Sequence, residues 1–308
     1  MFFLAQKRRF LSWIAVAAAS LALVIGLPLL TNPTTQTAQA TTTLRVYAAV
    51  SLTEVLPEIE SAYNTANPSS AINFINTFDS SGALLNQINL ASNESAGIPE
   101  IFISAATTQM NSLQSAGKLA SGWPVTIATN RLVLIRPNTP TSPAPSPTIS
   151  TFDKLTNCST CSPTRTGIRG IAIGDPATVP AGAYGKQVLE STLSGCGAGT
   201  YNTLLNSTTA NKLVFASNVR NVLTAVQNKT LSGNTIDAGI VYITDQGVSS
   251  GTAQTALAAQ SCHNAIVYPA AVLSRTSSAN LTAATSFANY LSSSTARTKF
   301  TTRGFGVP

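Results

Sequence analysis

The stretch LRVYAAVSLTEVLPEIESAY, residues 44–63, decides the fold class of this chain. Residues 44–50 form a short β-rich run, and the apolar residues of 52–63 recur at helical spacing. A strand that leads directly into a helix is typical of a parallel α/β sheet. Pro57 lies inside the helical pattern, and it predicts a kink or a later helix start because proline fits without cost only in the first turn.

The same alternation of β-rich and helical patterns continues along the chain. At 308 residues the chain has the length of two domains. We therefore predict an α/β protein with two units. Further strands are predicted at 72–75, 101–103, 131–135, 171–173, 213–215 and 238–243, and further helices at 83–91, 219–226 and 281–300.

Charged residues are scarce. The chain has 18 Lys plus Arg and 11 Asp plus Glu, and only 9% of its residues are charged, against roughly 25% in an ordinary soluble domain. Apolar residues make up 44%, which is enough for a large core and excludes disorder driven by charge. The net charge is +7, but no run of basic residues is longer than three and aromatic residues are only 6%. This composition argues against a nucleic-acid-binding protein.

The first forty residues resemble an export signal. Three basic residues, 7–9, precede an apolar run over 11–30, and Ala38-Gln39-Ala40 matches the small-x-small pattern of a cleavage site. We predict a signal peptide over 1–40; the run is also long enough for an uncleaved anchor. Cleavage would leave fifteen basic and eleven acidic residues, a balance of +4. We expect an exported protein, in the periplasm or at the cell surface, without a lipid-modified Cys, since the first cysteine is Cys158.

Four cysteines agree with export. Cys158 and Cys161 form a Cys-x-x-Cys in a loop, and Cys196 and Cys262 stand alone, so two structural disulfides are predicted and three pairings are open. A zinc site would require a second close pair, and a thioredoxin-like site would require the motif to open a helix after a strand. The sequence shows neither context.

Small and hydroxylated residues recur where a strand leads into a helix. They stand at Ser51, Ser80-Ser81-Gly82, Pro180-Ala181-Gly182 and Ser217-Asn218-Val219. The start of a helix exposes backbone N–H groups without partners and the positive end of the helix dipole, so it favours anions. Each of these starts alone also fits an ordinary N-cap. In open parallel sheets, ligands bind beyond the carboxyl ends of the strands, where all of these turns are predicted to lie.

Nine segments, taken in order, resemble one family, the periplasmic molybdate-binding proteins of ABC transporters. The resemblance covers nearly the whole chain after residue 40. The segments lie at 49–53, 80–88, 102–105, 130–134, 174–184, 218–220, 239–245, 268–272 and 304–306.

The resemblance implies a type II periplasmic-binding-protein fold, in which each of two lobes is a mostly parallel sheet flanked by helices. Lobe 1 would comprise 41–130 plus 268–308, and lobe 2 would comprise 131–267 with a Pro-rich insertion at about 137–166. The implied function is capture of molybdate or tungstate in the cleft between the lobes, without a cofactor. The ion would be delivered to an ABC transporter permease, and we expect a monomer. The implied ligand residues are Ser51, Ser81, Ala181, Val219 and Tyr242.

Four other functions can be weighed against features of the sequence. Another tetrahedral oxyanion such as sulfate would use the same kind of site. A secreted hydrolase would need its single His, His263, near a nucleophile, but the sequence has no G-x-S-x-G motif. Ferric iron capture would require adjacent tyrosine ligands with a carboxylate or His, which the surroundings of Tyr242 lack. An adhesive surface protein would not explain the ordered segments. We therefore predict a binding protein and not an enzyme.

Overall fold

The computed structural model describes residues 42–90, 98–145, 148–156, 167–207 and 212–308. The strands are β1 Thr42–Ala49, β2 Ile72–Asp79, β3 Ile101–Ile103, β4 Val125–Thr129, β5 Leu132–Pro137, β6 Gly170–Gly174, β7 Lys212–Ala216, β8 Thr230–Leu231, β9 Asn234–Thr235, β10 Ala238–Tyr242, β11 Thr252–Leu257 and β12 Val267–Val272. The α-helices are α1 Val55–Ala66, α2 Ser81–Asn89, α3 Thr107–Ser115, α4 Pro180–Glu190, α5 Tyr201–Leu205, α6 Val219–Asn228, α7 Ile243–Gly247, α8 Ser278–Tyr290 and α9 Ser294–Thr302.

Two five-stranded sheets form the framework. Sheet 1 has the order β2-β1-β3-β12-β4, and sheet 2 has the order β11-β5-β10-β6-β7. In sheet 1 only β12 runs against the other strands, and in sheet 2 only β5 does so. Both sheets are therefore mostly parallel, and the predicted α/β class is confirmed.

The chain passes from one sheet to the other twice. The first passage joins β4 to β5 at residues 130–131, and the second joins β11 to β12 over residues 258–266. Each of the two antiparallel strands, β5 and β12, is the first strand that the chain forms after it passes to the other sheet. The C-terminal helices then pack back on sheet 1, since α8 contacts β1 and β12 while α9 contacts β4.

Burial follows the predicted patterns. In β1 the buried residues alternate, with Leu44, Val46 and Ala48 facing the core, whereas every residue of β10 is buried. Complete burial is typical of a strand that helices cover on both faces of its sheet. Here α4 and α6 both pack against β10. Helices α4 and α6, which follow β6 and β7 in the chain, thus cover the central strand of sheet 2.

Pro57 and the C-terminal tail show how turns set helix boundaries. Helix α1 begins at Val55, which places Pro57 in its first turn, so the later start is the correct alternative. The single helix predicted over 281–300 is wrong, because the chain forms α8 and α9 with a break between them. The break is stabilised by Ser293, whose Oγ accepts a hydrogen bond from the Ala296 N–H at 3.2 Å as the N-cap of α9.

Across the described ranges, no helix combines the length and the apolar character that crossing a bilayer requires. The predicted signal peptide or anchor over 1–40, the cysteines Cys158 and Cys161, and part of the Pro-rich insertion lie outside the described residues.

Candidate ligand-binding site

The predicted helix starts meet at one small cavity between the two sheets. Strands β1, β2 and β3 of sheet 1 and β10 of sheet 2 end there, and α2, α4 and α6 begin there. The empty space, part of which is open to solvent, measures about 200 Å³. The lining residues are Ala49, Val50, Ser51, Asp79, Ser80, Ser81, Ala105, Val179, Pro180, Ala181, Val219 and Tyr242.

All five residues implied by the family resemblance therefore line the same cavity, although they are spread over nearly 200 positions of the chain. Ser51 and Ser81 approach it from sheet 1, and Ala181, Val219 and Tyr242 approach it from sheet 2. Their role as ligands stays a prediction, which the local hydrogen bonds help to evaluate.

Two neighbouring serines at the start of α2 have different tasks. Ser80 is the N-cap, and its Oγ accepts a hydrogen bond from the Ala83 N–H at 3.3 Å. Ser81 is fully buried, and its Oγ accepts a hydrogen bond from the Ala105 N–H at 2.9 Å. Because the Ser81 hydroxyl accepts in that bond, its own hydrogen remains available for a ligand. The Ser81 N–H lies in the first turn, where a helix supplies no carbonyl partner.

The sheet 2 side contributes backbone N–H groups from two helix starts. Pro180 is the first residue of α4 and has no N–H, so the N–H of Ala181 is the first donor of that helix. Asn218 is the N-cap of α6, and its Oδ1 accepts a hydrogen bond from the Asn221 N–H at 2.9 Å. The Val219 N–H lies in the first turn, where the helix supplies no acceptor for it, and Val219 lines the cavity. Both donors are backbone N–H groups, so neither depends on which side chain its residue carries.

Tyr242 presents a buried hydroxyl to the cavity. The residue is 1% exposed, and its Oη has no hydrogen-bond partner among the described residues. Burial raises the pKa of the Tyr242 phenol well above its ordinary value, so the group stays protonated and can donate. A buried hydroxyl without a partner costs about 1–3 kcal/mol, and a bound acceptor would remove this cost.

The cavity lining contains one formal charge, the carboxylate of Asp79. Its Oδ1 accepts hydrogen bonds from the Ser80 N–H at 2.7 Å and from the Asn218 amide at 3.2 Å. Arg220, which follows the lining residue Val219 in the sequence, is paired with Glu54 and Asp245. The remaining polar groups of the lining are neutral, and the starts of α2, α4 and α6 add positive dipole ends.

Two glycines let the backbone segments approach each other at the site. The Gly82 N–H donates to the Thr178 carbonyl across the cleft at 2.9 Å, and a Cβ on Gly82 would lie 2.4 Å from that oxygen. A Cβ on Gly182 would lie 1.9 Å from the carbonyl oxygen of Gly174, so α4 could not pack this closely against the end of β6. Both positions need glycine for space, and neither needs it for its backbone angles.

A cleft lined by helix starts at the carboxyl ends of mostly parallel strands is typical of a ligand-binding site. The sequence profile of the bacterial extracellular solute-binding proteins matches residues 44–306. The chain belongs to this family. Its members are transport binding proteins and not an enzyme class, so the prediction of a non-enzyme is confirmed.

Two relatives and a solved structure agree with this assignment. The chain is 31% identical to YvgL of Bacillus subtilis, provisionally named an ABC transporter substrate-binding lipoprotein, over 89% of this chain and 90% of that protein. It is 29% identical to the molybdate-binding protein ModA of Escherichia coli, over 86% of this chain and 89% of that protein. The periplasmic molybdate-binding protein of Azotobacter vinelandii shares the fold, with a TM-score of 0.64, 19% identity and coverage of 86% and 99%.

Other predicted features of this solute-binding protein lie away from the cavity. Cys196 and Cys262 form a disulfide across 66 residues, which pins the loop that carries His263. The ring of His263 contacts the Asn264 carbonyl through Nδ1 at 2.7 Å and packs against Tyr184, and His263 does not line the cavity. Within the described ranges, no cluster of His, Cys, Asp and Glu could hold a metal ion.

The structure also places near the site several residues that the sequence reasoning did not select. Tyr268 contacts Ser51 at 2.8 Å, Asn130 contacts Tyr268 at 3.1 Å, and Arg220 links Glu54 to Asp245. Tyr268, Asn130, Arg220 and Asp245 fall within the segments that carry the family resemblance. Their partners are distant in sequence, so no local pattern indicates the contacts.

Proposed function

We propose that this protein captures molybdate, and tungstate equally well, outside the cytoplasmic membrane and delivers it to the permease of an ABC transporter. The observation that carries the proposal is the cavity between the sheets, which neutral donors from four chain segments line together with the Tyr242 hydroxyl, a group without a partner among the described residues. The names of the relatives, a molybdate-binding protein and an ABC transporter substrate-binding lipoprotein, support the ligand and the partner.

Hydrogen-bond chemistry favours a fully deprotonated oxyanion. Every oxygen of a tetrahedral dianion accepts hydrogen bonds, and each bond to a charged group contributes roughly 1.5–3 kcal/mol. The two serine hydroxyls, the Tyr242 hydroxyl and the N–H groups of Ala181 and Val219 are all donors. Several such bonds offset the costs of desolvation and closure, since a micromolar complex needs only about 8 kcal/mol net.

The same chemistry sets the expected selectivity. Phosphate retains a proton near neutral pH, and the five predicted ligand groups offer that proton no acceptor. The Asp79 carboxylate is an acceptor in the lining, but its Oδ1 already accepts hydrogen bonds from Ser80 and Asn218, so we expect phosphate to bind poorly. Sulfate has the charge and shape of molybdate but is smaller, so some of the donors would lie too far from its oxygens. Tungstate is nearly the same size as molybdate and should bind equally well.

Capture would couple to closure of two lobes, 41–130 with 268–308 and 131–267. The two passages between the sheets are the natural hinge, because they are the places where the chain leaves one sheet for the other. The hydrogen bonds from Gly82 to Thr178 and from Asn218 to Asp79 span the cleft and would stabilise the closed form. On this proposal the N-terminal segment 1–40 directs export, either as a cleaved signal or as an anchor.

Isothermal titration of the purified protein with molybdate, tungstate, sulfate and phosphate tests the proposal. We expect micromolar or tighter binding of molybdate and tungstate, weaker binding of sulfate and no measurable binding of phosphate. Replacing Ser81 with Ala should weaken molybdate binding, and it should also lower the unfolding temperature of the ligand-free protein modestly, because the buried Ala105 N–H loses its acceptor. Equal or tighter binding of sulfate would instead make the protein a sulfate receptor, and no heat with any of the four anions would refute an oxyanion function.

A further inference from the structure

We propose that Tyr268 and Asn130 are positioning residues that fix the Ser51 hydroxyl as a hydrogen-bond donor to the bound anion. This inference rests on the proposed function, because it concerns how the same cavity recognises its ligand. It adds two residues that do not line the cavity and that act through Ser51.

The three side chains form a buried hydrogen-bonded chain. The Tyr268 hydroxyl lies 2.8 Å from Ser51 Oγ, and the Asn130 Nδ2 donates to the Tyr268 hydroxyl at 3.1 Å. Tyr268 is fully buried, and Ser51 and Asn130 are 2% and 7% exposed. Water therefore has little access to compete for these bonds.

The orientation of the Asn130 amide follows from its other contacts. Its Oδ1 accepts a hydrogen bond from the Arg131 N–H at 2.9 Å, so the oxygen of the side-chain amide is turned toward the backbone of Arg131. Its Nδ2 then faces the Tyr268 hydroxyl and Thr244 Oγ1, the latter at 2.9 Å. Both amide hydrogens are used, one for each oxygen. The amide thus presents a donor to Tyr268, and the reversed amide would break the bond to Arg131.

This orientation decides where each hydrogen goes. The Tyr268 oxygen receives a hydrogen from Asn130, so it cannot donate its own hydrogen in that direction. Its other hydrogen-bonded neighbour among the described residues is Ser51 Oγ, and at this contact either oxygen could donate. Because no other acceptor for the Tyr268 hydrogen is found among those residues, we assign Tyr268 as the donor and Ser51 as the acceptor. Burial raises the pKa of the Tyr268 phenol far above its ordinary value, so the hydrogen is retained. Ser51 is left with one hydrogen of its own, and since Ser51 lines the cavity, that hydrogen is directed to the ligand.

Directing the hydroxyl has a consequence for recognition. A serine hydroxyl can serve as donor or acceptor, and a free one can rotate to suit either kind of ligand atom. With its acceptor side occupied by Tyr268, Ser51 is prepared to donate before the ligand arrives. The pair thus increases affinity for an anion that offers only acceptors, because Ser51 need not be reoriented on binding.

A double-mutant cycle tests the inference directly. We expect Tyr268→Phe, which removes only the hydroxyl, to weaken molybdate binding about tenfold in the otherwise unchanged protein. In the Ser51→Ala background the same change should have no further effect, because Tyr268 acts through the Ser51 hydroxyl. A parallel cycle with Ser81→Ala should be additive, which a general disturbance of the cleft would not reproduce.

Two further variants complete the design. Tyr63→Phe is the matched control: its hydroxyl bonds to Ser286 at 2.9 Å in the sheet 1 half, outside the cavity lining, and affinity should be unchanged. Asn130→Ala should also weaken binding, and the loss should be smaller in the Ser51→Ala background; the part that remains would come from the bonds of Asn130 to Thr244 and to the Arg131 N–H. If Tyr268→Phe does not fold, the double-mutant cycle with Ser51→Ala is measured with Asn130→Ala instead.

The outcomes separate the two proposals. If the unchanged protein binds molybdate and the Tyr268 and Ser51 effects are additive, the positioning role is wrong and the proposed function stands. If the unchanged protein binds sulfate instead, the cycle is measured with sulfate and keeps its meaning. If it binds none of the oxyanions, the proposed function fails and the positioning role fails with it.

Discussion

Arg220 on α6 and Glu54, directly before α1, form a two-pronged ion pair across the cleft. Nη1 lies 2.7 Å from Oε1 and Nη2 lies 2.5 Å from Oε2. The same guanidinium contacts Asp245 through Nε at 2.6 Å, and Asp245 in turn accepts a hydrogen bond from the Tyr242 N–H at 3.3 Å. Arg220 follows Val219 directly, so the ion pair fastens sheet 1 to the part of sheet 2 that carries two predicted ligand residues.

Replacing Glu54 with Gln should therefore weaken ligand binding by destabilising the closed form. A partly exposed bidentate pair contributes about 1 kcal/mol, so we expect about fivefold weaker binding, expressed as faster ligand release. Stopped-flow dissociation kinetics measure it. The control is Glu58→Gln, whose partner Arg303 is on the sheet 1 side. Equal effects of the two variants would contradict the role of the Arg220 pair in closure.

Replacing Tyr242 with Phe should have opposite effects on stability and on binding. Without ligand, the change removes a buried hydroxyl that has no partner in the part of the chain that the structure describes, so the unfolding temperature should stay equal or rise. With ligand, it removes a charge-assisted hydrogen bond, which predicts roughly 10- to 100-fold weaker molybdate binding. Thermal unfolding with and without molybdate measures both. Tyr184→Phe, which removes a hydroxyl bonded to the Ala265 carbonyl, is the comparison, and it should not weaken binding.

Replacing Asp79 with Asn should tighten anion binding several-fold, because it removes the one negative charge from the cavity lining. The asparagine carbonyl can still accept the hydrogen bonds from Ser80 and Asn218. Titrations at low and high salt check the origin of the effect, since a charge effect on an open cleft shrinks with ionic strength. Weaker binding at both salt concentrations would show that the carboxylate organises the site.

Replacing Glu60 with Gln should stabilise the protein above neutral pH and leave it unchanged under acid conditions. Burial raises the pKa of Glu60 to about 7, while the Asn76 amide bond at 2.9 Å opposes the shift. The folded protein thus holds a proton that the unfolded chain loses near pH 4.5, so this contribution to stability falls as the pH rises from about 4.5 to 7.

Denaturant unfolding of the Glu60 variant at pH 5 and pH 8 measures the effect. Glutamine mimics the protonated acid and can donate to Asn76 Oδ1, a buried oxygen without a partner among the described residues. We expect the variant to have a higher free energy of unfolding than the unchanged protein at pH 8 and little or no such gain at pH 5. An equal gain at both values would indicate improved packing and not relief of a buried charge.

Replacing both Cys196 and Cys262 with Ser should lower the free energy of unfolding by about 2–5 kcal/mol, because their bond closes a long loop in the unfolded chain. Molybdate affinity should be unchanged, since neither cysteine lines the cavity. Denaturant unfolding and titration of the double variant measure the two quantities. A loss of affinity without a loss of stability would place the disulfide in control of the cleft.

Much of the fold could be predicted because its signals are local. Strand β3 lies at the predicted residues, and β1, β5, β6, β7 and β10 differ from prediction by a few residues at their ends. These strands are short apolar runs bounded by turn residues, a pattern that needs no distant partner. The split between α8 and α9 was missed because apolar spacing continues across the break, whereas the cap at Ser293 depends on one hydroxyl.

The sequence by itself determined the α/β class, the helix starts that suit an anion, and the five candidate ligand residues through their family resemblance. Only the tertiary structure decided that the five line one cavity, that the Tyr242 hydroxyl has no partner among the described residues, and that Tyr268 is hydrogen-bonded to Ser51. The physical reason is range. Helix caps and strand patterns act within a few residues, whereas Ser51 and Tyr268 are 217 positions apart and meet because β1 and β12 lie in the same sheet, on either side of β3.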